Sequence, residues 1–70
     1  MNDIELTIAI PTFNRKAALE RTIDDLIKFG FVSNPNIRVW IIDNNSNYAV
    51  NEVLIKRGVE CSIGLIVNSH

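Results

Sequence analysis

Ile4-Glu5-Leu6-Thr7-Ile8-Ala9-Ile10-Pro11-Thr12-Phe13-Asn14-Arg15 is the stretch that decides the fold. Ile4, Leu6, Ile8 and Ile10 fall on one side, and Glu5, Thr7 and Ala9 on the other. That period of two predicts a strand over residues 4–10 with one strongly apolar face. Pro11 lacks a backbone donor and is predicted to end it. Asn14 then reads as the N-cap of a helix over residues 15–29. Leu19, Ile23, Leu26 and Ile27 form the apolar stripe of that helix. Lys16, Glu20, Asp24 and Lys28 take its wet side, with Asp24 and Lys28 at the favourable i, i+4 spacing. Gly30 is the expected stop, and Asn34-Pro35-Asn36 is a turn cluster.

Working outward, Val39-Trp40-Ile41-Ile42 is apolar on both faces, the pattern of a central strand over residues 37–42. The polar loop Asp43-Asn44-Asn45-Ser46-Asn47 follows and is predicted to cap the next helix. Ala49, Val50, Val53 and Leu54 give that helix its stripe, with an end near Arg57 and Gly58. A third strand is predicted over residues 61–67, which makes Cys61 a small buried or half-buried strand residue rather than a nucleophile. Strand, helix, strand, helix, strand is two βαβ units. Right-handed crossovers then place both helices on one face of a three-stranded parallel sheet of order 3-2-1. The fold class is therefore α/β, Rossmann-like but partial. The opposite face keeps apolar side chains from strand 2 and part of strand 3, and one edge of strand 1 stays unpaired.

Composition bounds what such a chain can do. Seventy residues, 47% apolar and 21% charged, describe one small globular domain with a thin core. One cysteine leaves no disulfide within a monomer, and a single histidine, His70 at the very end, does not make a closed zinc site. The chain is expected to gain stability from a homo-oligomer or from the rest of a larger domain. Seven Lys/Arg against eight Asp/Glu provide no basic stripe for nucleic acid. Met1-Asn2-Asp3 lacks the basic start of a secretory signal, and the apolar runs 39–42 and 63–67 are too short for a membrane span. A soluble, cytoplasmic chain is expected.

Ligands of parallel α/β sheets bind beyond the carboxyl ends of the strands. Two polar loops lie there side by side: Pro11-Thr12-Phe13-Asn14-Arg15 and Asp43-Asn44-Asn45-Ser46. Phe13 can pack beside a flat base, Asp43 can accept a base N–H, and the helix N-termini offer N–H groups to an anion. Bland readings stand beside these. Asp43 can serve only its own loop through Asx-turn bonds. Arg15 and Lys16 can simply face water, and Trp40 can be core or interface packing. The glycine motifs of dinucleotide and P-loop sites are absent. A phosphorelay receiver needs an acidic pair where this chain has Pro11-Thr12.

Ile8-Ala9-Ile10-Pro11-Thr12-Phe13-Asn14-Arg15, followed about thirty residues later by Val39-Trp40-Ile41-Ile42-Asp43-Asn44-Asn45-Ser46, resembles the opening of the family 2 glycosyltransferases. The resemblance implies a GT-A fold, with residues 1–70 as the N-terminal part of the domain. It further implies a nucleotide-sugar site of the UDP or dTDP type at Pro11, Thr12, Phe13, Asn14, Asp43 and Asn44. Asp43 matches the aspartate that reads the base, and Asn44 stands where many members have a second acidic residue. The family continues into an Asn-x-Gly segment, an Asp-x-Asp metal motif and an acidic catalytic base, none of which precedes Asn68-Ser69-His70. No catalytic or metal-ligating residue and no cofactor are therefore assigned here. The complete enzyme is expected to use a divalent metal, Mg or Mn, and these 70 residues alone are expected to be inactive. The alternative is a non-catalytic α/β module that oligomerises or binds nucleotide.

Overall fold

The computed structural model describes residues 4–68, ordered β1 (Leu6–Thr12), α1 (Lys16–Lys28), β2 (Ile37–Asp43), α2 (Val50–Lys56) and β3 (Ile63–Val67). The strands form one parallel sheet with β2 in the centre, the expected order 3-2-1 read from the other side. Register puts Ile8, Val39 and Ile63 in one row, Ile10, Ile41 and Leu65 in the next, and Thr12, Asp43 and Val67 at the carboxyl end. The first two rows meet Leu19, Ile23 and Leu26 of α1 and Val50, Val53 and Leu54 of α2 in a single core. Ile23 and Ile41 at its centre are 0% exposed.

Both helices end alike. Gly30 (φ +80°) donates to Ile27 O and Phe31 to Leu26 O; Gly58 (φ +68°) donates to Ile55 O and Val59 to Leu54 O. These paired bonds satisfy carbonyls that a helix end otherwise leaves open, and the positive φ suits a residue without Cβ. At the second stop Val59 is buried over Leu54, so the turn that ends α2 also extends the core.

Several local expectations shift. Pro11 does not end β1; the strand runs on through Thr12. Asn44 N–H donates to Thr12 O at 2.9 Å, so Thr12 turns its backbone groups toward β2. By alternation Pro11 turns its own toward the outer edge, where a missing donor breaks no ladder bond. Ile4 precedes the strand and is 43% exposed. Asn14 is not the cap of α1. Arg15 holds that position without a side-chain bond, and Asn14 has φ +50° with its side chain turned elsewhere. The Asp43–Asn47 loop does not cap α2 either, since Ala49 is the uncapped N-cap. Ile27 leaves the stripe and is 40% exposed. Cys61 is exposed in the turn before β3, because that strand begins at Ile63. His70 lies outside the described residues.

The face away from the helices carries Ala9, Trp40 and Gly64 in one row and Pro11, Ile42 and Ile66 in the next. A Cβ at residue 64 would collide with the six-membered ring of Trp40, so the indole lies directly on the glycine. Glycine at this central-row position is the space the tryptophan needs. Ile42 and Trp40 remain half-buried, and Ile66 is exposed.

Asp24 does not pair with Lys28. It accepts a 2.7 Å bond from Arg57 Nε, while Arg57 Nη2 also reaches Glu20 at 3.4 Å and Lys28 lies over the Phe29 ring. Arg57 thus pins the end of α2 to α1. The Arg57 hydrogen bond holds the Asp24 carboxyl below its ordinary range, and the same bond raises the guanidinium. A depressed carboxylate stabilises the fold above its unfolded pKa, and that stability is lost as pH falls through its folded value. Arg57→Ala should therefore lower the urea midpoint at neutral pH, and the gap from wild type should close as the solution is acidified below the carboxylate range. An equal gap at both ends of a urea-by-pH series would assign Arg57 to packing alone.

Candidate functional site

The carboxyl ends of β1 and β2 finish together. Thr12 and Asp43 are register partners on the helix-covered face and are the two buried polar residues of the described chain. Parallel pairing brings them side by side, and the crossover helices leave from the same rim. Asp43 Oδ1 accepts Ser46 N–H at 3.0 Å, an Asx-type turn that starts the β2–α2 loop. Asp43 is 4% exposed, so its carboxylate forms the floor of the rim. Phe13, one residue beyond Thr12, is 54% exposed and forms its lip.

The two loops are tied to each other. Asn14 N–H donates to Ser46 Oγ at 2.9 Å, and Asn47 N–H donates to Asn14 Oδ1 at 2.7 Å. A third element joins behind β3. Asn68 N–H donates to Asp43 O at 2.8 Å, and Asn68 Nδ2 donates to Asn44 Oδ1 at 3.0 Å. Asn44 thus spends its carbonyl on Asn68 and keeps its NH₂ as a donor at the rim.

Of the six residues expected at the site, Thr12, Phe13, Asn14, Asp43 and Asn44 converge on this rim. Pro11 falls on the opposite sheet face by alternation, away from Thr12 and Asp43. Ser46 and Asn47 emerge as partners of Asn14. Asn68 emerges as the β3 member of the rim, and its place just after a strand end is the signal that marks it. The first turn of α1 carries neither an acidic residue nor a side-chain cap, which leaves its amides available to an anion beside Phe13. A divalent cation needs several converging oxygen ligands. No group of three or more His, Cys, Asp or Glu converges among the described residues, so these residues do not by themselves fit a cation site.

The chain matches Glycosyl transferase family 2 over residues 7–57, from within β1 to the end of α2, with both rim loops inside the match. It belongs to glycosyltransferase family 2. No match was found among curated proteins or among solved structures. The matched span of this glycosyltransferase chain stops before β3, so the part played by Asn68 rests on its geometry alone. Among the described residues no helix is long and apolar enough to cross a membrane.

Proposed function

We propose that the chain is the donor-nucleotide-binding part of a family 2 glycosyltransferase domain of GT-A type, with the β1–β2 rim as its site. The observation that carries this reading is the pairing of Thr12 with buried Asp43 at the strand ends, with the exposed Phe13 next in the chain after Thr12. A carboxylate at the floor accepts a base N–H, and an aromatic ring at the lip packs beside the flat base. Thr12 and Asn44 add polar contacts to base and ribose, and Pro11 shapes the strand end that presents them. The uncapped start of α1, three residues after Phe13, offers its amides to a diphosphate. The complete enzyme moves a sugar from a nucleotide donor of UDP or dTDP type to an acceptor hydroxyl. A divalent metal, Mg or Mn, would supply the complete enzyme with positive charge for a leaving diphosphate, and an acidic base would activate the acceptor. No residue of these 70 is assigned to either role, and by themselves they bind nucleotide weakly and transfer nothing.

Titration of ¹⁵N-labelled chain with UDP and dTDP tests the site. Amide shifts are expected at Thr12, Phe13, Asp43 and Asn44, with ADP the weaker ligand. Shifts confined to the opposite end of the sheet would overturn the assignment. In the same buffer, labelled nucleotide-sugar, Mn²⁺ and an acceptor should give no product, and measurable transfer would sink the inactivity.

A second reading is favoured by the open sheet face, where Trp40 and Ile42 are half-buried and Ile66 is exposed. An oligomerising module would bury that face between copies. Sedimentation separates the two: concentration-dependent dimers with a blue-shifted Trp40 emission favour the module, and a folded monomer that binds nucleotide favours the donor-binding part.

A further inference from the structure

We propose that Asn14 is a positioning residue, which acts on the nucleotide through Ser46 and Asp43 rather than by touching the base. The inference rests on the donor-site reading above. Its basis is a continuous run of hydrogen bonds. Asn14 N–H donates to Ser46 Oγ at 2.9 Å, and Ser46 N–H donates to Asp43 Oδ1 at 3.0 Å. From the other side, Asn14 Oδ1 accepts Asn47 N–H at 2.7 Å. One asparagine therefore holds two consecutive residues of the opposite loop, and the first of those orients the carboxylate on the floor.

Two backbone features show why the loop needs this tie. Asn14 has φ +50° and Asn45 has φ +65°, a left-handed region that non-glycine residues enter at a cost and keep only where the surroundings hold them there. Asparagine is among the residues that tolerate it best. The usual device for ordering such a loop, a side-chain cap on the following helix, is missing from α2. Asn14 takes over that service from across the rim. Its left-handed turn aims both its N–H and its side chain at the β2–α2 loop, and it leaves Phe13 outermost. Its Oδ1 already accepts from Asn47 N–H.

The test separates positioning from contact and from folding. Asn14→Gly keeps the positive φ without a Cβ but deletes the Oδ1 acceptor. Asn14→Asp keeps an acceptor in the same place. Ser46→Ala removes the other end of the Asn14 N–H bond. In ¹⁵N-labelled full chain, Asn14→Gly should abolish the exchange protection of the Asn47 amide and weaken that of Ser46. UDP and dTDP affinity should fall together by roughly 5- to 30-fold, the range that one or two lost hydrogen bonds produce. Thermal midpoint should change little, and Asn14→Asp should restore protection and affinity. Asn14→Gly combined with Ser46→Ala should lose less than the sum of the two, because the Asn47 N–H bond to Asn14 Oδ1 and the Asn14 N–H bond to Ser46 Oγ are separate ties that hold one and the same loop.

Loss of affinity with Ser46 and Asn47 protection intact would make Asn14 a direct ligand contact and overturn the proposal. Additive losses would overturn it as well, since independent contacts add. If wild type binds neither nucleotide, the donor-site reading fails. The protection data then still decide the relay: unchanged protection in Asn14→Gly overturns it, and lost protection upholds it.

Discussion

Ile41→Ala should bring the chain to the edge of unfolding at room temperature. Ile41 is 0% exposed in the central strand, between Ile10 and Leu65 in the register and in the same core as Ile23 of α1. Truncating such a side chain costs about 2–5 kcal/mol, from lost transfer free energy and the cavity left behind. A single core in a domain of this size rarely supplies more than about 3–5 kcal/mol in total. One substitution therefore consumes most of the margin. The neighbouring Ile42→Ala removes the same atoms from the open face, where Ile42 is only half-buried, and should cost a small fraction of that. Urea titrations of both variants, followed by far-ultraviolet circular dichroism, read the difference directly. Equal losses at positions 41 and 42 would mean that the second face is covered too, as in an associated state. A larger loss at 42 would invert the placement of the helices.

The contrast between those adjacent positions is also where the sequence is most and least legible. Alternation in β1 and the double-faced run Val39–Ile42 were enough to predict a central second strand, because burial on two faces leaves no polar position to alternate with. Gly30 and Gly58 marked both helix ends, since the geometry that stops a helix is local and favours glycine. Features set by distant partners were not legible in the same way. Pro11 reads as a terminator until the side its missing donor faces is known, and only the pairing with β2 fixes that. Asn14 carries a strong local signal for a cap, yet the bonds it makes reach residues 32 and 33 positions away. Asp24 has Lys28 at a favourable local spacing, but Arg57 arrives from the other helix with a directed N–H. In each case the residue was read correctly as structural, and tertiary geometry decided which structural part it plays.

The site follows the same division. That Thr12 and Asp43 lie at neighbouring strand ends follows from parallel order alone. That Asp43 is a floor rather than a rim group does not, because burial depends on the loops folded over it. This has a consequence for binding. Asp43 is 4% exposed and already serves Ser46 N–H through Oδ1. Asp43→Ala should remove the proposed base acceptor and release that N–H together. A hydrogen bond to a charged group contributes about 1.5–3 kcal/mol, so UDP affinity should fall by roughly 10- to 150-fold. Asp43→Asn retains an oxygen for Ser46 but loses the charge, and should fall between wild type and alanine. The discriminating ligand is a UDP methylated at the base N3, which cannot donate to the carboxylate. If Asp43 reads the base, wild type should lose affinity on methylation while Asp43→Ala loses little more, because the bond is already gone. If instead Asp43 serves only its own loop, methylation should weaken wild type and alanine variant by the same factor. In that case Asn44, whose NH₂ remains free at the rim, becomes the next residue to substitute.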